Sequence, residues 1–176
     1  MKDFLLEISG NEIPDGAHSG FIVAQGNRRL RYAIFKAGGD PIKGTVIVLT
    51  GRNEPIEKYF ETIRYLSKRG FGVATFDWRG QGLSDRELTD PLRGHIANFD
   101  LYNRDLDCFF DRVVLPDCRG PFYLLAHSTG ALIALQAAPM LRNRVERMVL
   151  LAPLLEVGGL PFSTTSLRRL ANLLKL

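Results

Sequence analysis

No histidine follows Ser128. The chain of 176 residues holds only three, His18, His95 and His127, so a serine in its last third has no downstream imidazole to take its proton. A bare serine hydroxyl is a poor nucleophile at neutral pH. Cysteine is equally scarce. Cys108 and Cys118 stand alone, without CxxC spacing or a neighbouring histidine, which argues against a disulfide framework or a zinc site and leaves two free thiols. No apolar run approaches the roughly 20 residues that cross a bilayer. The opening Met1-Lys-Asp-Phe-Leu-Leu-Glu7 is too short and too acidic for a secretory signal. On these features a cytoplasmic chain without a metal site is expected.

An acidic excess is missing too. The formal net charge is +4. Residues 1–136 balance, with 17 Lys and Arg against 17 Asp and Glu. Residues 137–176 hold the excess, as Arg142, Arg144, Arg147, Arg168, Arg169 and Lys175 against Glu146 and Glu156. Charges spread over two elements without interleaved aromatics read as a solvated face, so no nucleic-acid partner is expected.

What is present is an ordinary globular composition, 45% apolar and 24% charged, enough for one domain or part of a larger one. Two β-like runs, Ser19–Ala24 and Arg29–Phe35, flank the turn Gln25-Gly26-Asn27 and read as a hairpin. Strand and helix patterns then alternate. Thr45–Leu49 is a β-branched apolar run suited to a buried parallel strand. A helix begins near Pro55, with Asn53 as a cap, and shows Ile56, Phe60, Ile63 and Leu66 at helical spacing before Gly70. Phe71–Phe76 is the next strand, and a long Gly-, Asp- and Arg-rich loop follows it. A second helix is expected over Phe99–Leu115, a strand over Val145–Leu151, and an amphipathic helix over Leu160–Leu176. The expected fold class is α/β, a mostly parallel sheet opened by an antiparallel hairpin.

Ala126-His-Ser-Thr-Gly130 carries the chemistry. It has the form small-x-Ser-x-small, with an apolar strand before it and the helix-forming run Ala131–Ala138 after it. A strand that turns straight into a helix lifts its central residue clear of the sheet and offers it the N–H groups of the helix start. Ser128 is therefore the candidate nucleophile, with capping of the Thr129–Ala138 helix as the alternative role. An oxyanion hole needs two backbone donors. The N–H of Thr129 supplies one, and the N–H of Arg52, in the Thr50-Gly-Arg-Asn53 loop, is the candidate for the other. Gly51 allows close approach, and the Arg52 side chain can hold an anionic group. Gly51, Arg52 and His127 are the candidate substrate contacts. Asp77-Trp-Arg-Gly-Gln-Gly-Leu-Ser84 reads as a structural turn and His95 as a structural histidine. His18, His95 and His127 all lack the features of a base for Ser128.

Three segments together, Gly44–Phe60, Asp77–Ser84 and Leu125–Ala131, resemble the serine α/β-hydrolases of the lysophospholipase and monoacylglycerol-lipase group. The Thr-Gly-Arg-Asn-Glu stretch is most similar to bacterial lysophospholipase L2-type proteins. The resemblance implies an α/β-hydrolase fold with about six of its eight strands present. Residues 1–158 would form the core and 159–176 the start of a helical cap. The triad acid and histidine would come after the seventh and eighth strands, beyond these residues, so the chain looks truncated before both. It further implies cleavage of carboxylic esters of monoacyl lipids, lysophospholipid or monoacylglycerol, through an acyl-enzyme on Ser128 and without a cofactor. One alternative is a non-catalytic hydrolase fragment or binding module. Another is a peptidase similar to proline iminopeptidases. The Leu160–Leu176 helix would line the acyl site and touch a membrane surface peripherally, or pack on the domain as an ordinary amphipathic helix. Without further strands, Val145–Leu151 would be an apolar edge prone to self-association, an expectation that a clean monomer in light scattering would contradict.

Overall fold

Strand β3 (Gly44–Leu49) is apolar along its whole length because it lies inside the sheet, with buried side chains on both faces. Val46 and Val48 point to one side and Ile47 and Leu49 to the other. The structure, a computed structural model, describes residues 4–155. Glu156, the expected boundary after residue 158 and the expected Leu160–Leu176 helix lie outside them.

The hairpin β1 (Ala17–Ala24) and β2 (Arg28–Phe35) opens the fold. After β3 come α1 (Phe60–Ser67), β4 (Phe71–Phe76), α2 (Asp100–Phe109), β5 (Phe122–His127), α3 (Thr129–Gln136), α4 (Ala138–Leu141) and β6 (Arg147–Leu151). The strand order is β1-β2-β4-β3-β5-β6. β1 with β2 and β2 with β4 are antiparallel, and the remaining neighbours are parallel. One face packs Phe35, Val48 and Val73 against Ile56, Phe60 and Ile63. The other packs Leu30, Ile47, Phe76 and Leu124 against Phe109, Phe110, Ala131 and Ile133 of the α2 and α3 side.

The structure shifts several expected boundaries. Asn53 is not a helix cap: its backbone is left-handed, with φ 58°, and the helical segment starts later as a single 3₁₀ turn, Ile56–Tyr59. The Ile56 N–H that a local cap would satisfy goes instead to Asp77 Oδ1, 3.0 Å away. The second helix starts at Asp100 and passes into a π turn at Phe110–Val114. The wider turn lets Phe109, Phe110, Val113 and Val114 all reach the core. The helix after Ser128 stops at Gln136, where Ala137 leaves helical geometry and Pro139 removes the next ladder N–H. β6 begins at Arg147 and lies at the sheet edge, paired only with β5 among the described residues. Met148, Val149 and Leu151 are exposed there, as the sequence pattern suggests.

Candidate active site

Strands β3, β4 and β5 run in parallel, so the loops that follow them emerge at one edge of the sheet. That is where open α/β sheets place their sites. The 50–54 loop follows β3, the Asp77–Ser84 loop follows β4, and Ser128 follows β5.

Ser128 has φ 51° and ψ −113°, a conformation that favours glycine and strains a side-chain-bearing residue. Its backbone is held in that state. The N–H donates to the Leu151 carbonyl at 3.0 Å, and the carbonyl accepts from Leu132 and Leu154 N–H groups at 3.1 and 3.2 Å. Its hydroxyl makes no cap hydrogen bond to α3, which overturns the capping alternative. The side chain is half-buried. Gly130 explains the small residue two positions on. A Cβ there would lie 2.6 Å from the carbonyl oxygens of both Leu49 and Thr50. Glycine thus lets the α3 start sit directly against the loop that carries Arg52.

That loop is pinned on both sides of Arg52. The Gly51 N–H donates to Glu54 Oε2 at 2.7 Å. The Asn53 N–H donates to Gln81 Oε1 at 2.5 Å. The Arg52 N–H between them has no acceptor among the described residues, and neither does the Thr129 N–H at the α3 start. The Arg52 side chain is exposed and donates from Nη2 to the Gly94 carbonyl at 2.6 Å.

Glu54 is the polar centre beside this loop. Its carboxylate is buried and receives Gly51 N–H, Tyr59 O–H at 2.6 Å, Lys58 Nζ at 2.5 Å and His127 Nδ1 at 3.0 Å. Burial pushes the carboxyl up, but the hydrogen bonds from Lys58, Tyr59, His127 and Gly51 outweigh it and bring it down to about 2. An ionised Glu54 makes Nδ1 of His127 the donor, which turns Nε2 away from it. His127 is therefore tied to the β3 loop.

None of the three histidines bonds to Ser128 among the described residues. His95 is half exposed, with Nε2 3.8 Å from Glu87 Oε2, in keeping with a structural role. His18 stands on β1 beside Tyr32, at the opposite end of the sheet.

The Asp77–Ser84 loop is a scaffold. Asp77 takes the Leu83 N–H at 2.9 Å, the Ile56 N–H, and Arg31 Nη2 at 2.6 Å. Arg31 also meets Glu57 at 2.6 Å. Ser84 Oγ donates to the Asp77 carbonyl at 2.7 Å and accepts the Arg31 N–H at 2.9 Å. Arg79 grips Asp105 through two nitrogens. Gly82 has φ 51° and lies so close to the Asp77 carboxylate that no Cβ fits.

Sequence reasoning missed Glu54, Arg31 and Gln81 as determinants of this edge. For Glu54 a signal exists. Glu54 and Lys58 are an i, i+4 pair, and Tyr59 follows directly.

The strand order, the strained Ser128 between β5 and α3 and the two open N–H groups together define an α/β-hydrolase. The chain belongs to the Serine aminopeptidase, S33 family, which it matches over residues 40–175. It is 42% identical over 89 residues to lysophospholipase L2 of Escherichia coli strain K12, a stretch that is 51% of this chain and 26% of the relative. It is 29% identical over 137 residues to monoglyceride lipase of Rattus norvegicus, 78% of this chain and 43% of that protein. The fold is similar to that of the α/β hydrolase GrgF from Penicillium sp. sh18, with a TM-score of 0.70, 21% identity, and coverage of 89% of this chain and 52% of that one. The chain thus spans about half or less of each of these three proteins. No helix among the described residues is long and apolar enough to cross a membrane.

Proposed function

We propose that these residues form the nucleophile-bearing part of a serine hydrolase that cleaves carboxylic esters of monoacyl lipids, a lysophospholipid or a monoacylglycerol. The observation that carries this reading is Ser128, held at a strained φ of 51° with its hydroxyl uncommitted to the helix it opens. Ser128 Oγ attacks the ester carbonyl, its proton passes to a base, and the alcohol leaves to give an acyl-enzyme. Water then attacks that ester and releases the fatty acid. The N–H groups of Arg52 and Thr129 carry the oxyanion in both steps. No cofactor enters. The base is none of the three histidines as they are placed, so the reading assigns acid and base to residues outside those described. Similarity to a lysophospholipase and a monoglyceride lipase supports the lipid ester as substrate class. The two free thiols suit a cytoplasmic setting.

A peptidase is the second reading, favoured by the description of the matched family. Hydrolysis of p-nitrophenyl esters of short and long acyl chains, set beside aminoacyl and prolyl p-nitroanilides, separates the two. Ester turnover that rises with acyl length and disappears in S128A is expected. Anilide turnover without ester turnover would select the peptidase. Ester turnover unchanged in S128A would overturn the acyl-enzyme on Ser128.

A further inference from the structure

We propose that Glu54 is a positioning residue for acyl transfer, holding the Thr50–Gly51 peptide and the His127 ring so that the Arg52 N–H stays open toward the Ser128 turn. This rests on the function proposed above, but its geometry is independent of turnover. One carboxylate gathers donors from three places: the Gly51 N–H of the β3 loop, Lys58 and Tyr59 at the start of the following helix, and His127 at the end of β5. Glu54 thereby ties the loop carrying one oxyanion donor to the residue directly before the nucleophile. Gly51 fits into this arrangement because it has no side chain. A Cβ there would stand 2.5 Å from Glu54 Oε2 and 3.0 Å from His127 Nδ1.

The contact has a direction. A peptide N–H turned toward Glu54 at Gly51 and another turned toward Gln81 at Asn53 leave the middle one, Arg52, for a ligand. Glu54 is also an acceptor at all four of its contacts, which an amide at the same position cannot be. Three of the four contacts fall on Oε2 and only Lys58 on Oε1, so an amide can spare all but the Lys58 contact, whereas E54A removes every acceptor and releases both the Gly51 N–H and the His127 ring.

The test uses the full chain, wild type and E54A, with two readouts that need no turnover and one that does. In the wild type, the Gly51 and Asn53 amides exchange with solvent at least about tenfold more slowly than Arg52, and ¹⁵N spectra show His127 protonated at Nδ1. In E54A, Gly51 loses its protection and the Nδ1-H tautomer is no longer dominant. With p-nitrophenyl butyrate, kcat falls about 100-fold, in the range for losing one oxyanion donor, while KM stays within about twofold. Arg52 exchanging as slowly as its neighbours in the wild type overturns the proposal even if E54A does not fold. So does an E54A protein whose Gly51 exchange and His127 spectrum match the wild type, or one that keeps full kcat after both have changed. Failure of the ester-hydrolase reading shows separately, as wild-type chain without S128A-sensitive turnover.

Discussion

Two connections leave the same edge of the sheet within a few ångströms of the same loop. After β4, the Asp77–Ser84 loop commits most of its polar groups to the protein frame: Asp77 with Arg31 and two backbone N–H groups, Ser84 with the Asp77 carbonyl and the Arg31 N–H, and Arg79 with Asp105. After β5, the chain turns through Ser128 at a costly φ and leaves its hydroxyl without a cap bond, next to an unpartnered Thr129 N–H. Both loops contain a serine two positions after a small residue, Gly82 before Ser84 and Ala126 before Ser128, and their sequences look equally chemical. The difference lies in where hydrogen-bonding capacity is spent. The first loop consumes its own and fixes the frame, also reaching across to seat Ile56 and, through Gln81, Asn53. The second withholds its own for a ligand. Strain that survives at one residue requires a rigid surround, and the β4 loop supplies part of that surround.

The two serines offer the sharpest way to break this comparison. S84A strands the buried Asp77 carbonyl and Arg31 N–H, so it is expected to lower stability by about 2 kcal/mol, read by urea denaturation. S128A removes no described hydrogen bond and should stay within about 0.5 kcal/mol of the wild type. Equal losses in the two variants would erase the distinction between scaffold and site. A smaller effect of opposite sign is expected from Ser128→Gly. Glycine relieves the strained φ, so the variant should gain about 1 kcal/mol, partly offset by the greater freedom of its unfolded chain. For a chain of this size that corresponds to about 3 °C in Tm by calorimetry. A Tm at or below the wild-type value would mean that Ser128 carries no strain.

The same contrast marks what could be read from sequence. The elbow was legible because its determinants are contiguous: an apolar strand, small-x-Ser-x-small, then helix formers. The hairpin and the apolar β3 run were legible for the same reason, since periodicity of two and β-branched runs are local signals. Arg31, Glu54 and Gln81 were not, because their partners are distant in the chain. Arg31 meets Asp77 across 46 positions and Glu54 meets His127 across 73. Nothing in the sequence marks Arg31, one of three arginines on β2, for burial. Asn53 misled for a related reason. It has the residue type of a cap, but Asp77, 21 positions further on than the first helical N–H, had already taken the bond.

The central claim is that Ser128 is the reacting nucleophile, and the most direct measurement is covalent labelling. The natively expressed protein is treated with a fluorophosphonate, its mass is taken before and after, and the modified peptide is sequenced by mass spectrometry. The account predicts a single adduct on Ser128, lost in S128A. No adduct, or an adduct on another residue that persists in S128A, would contradict it.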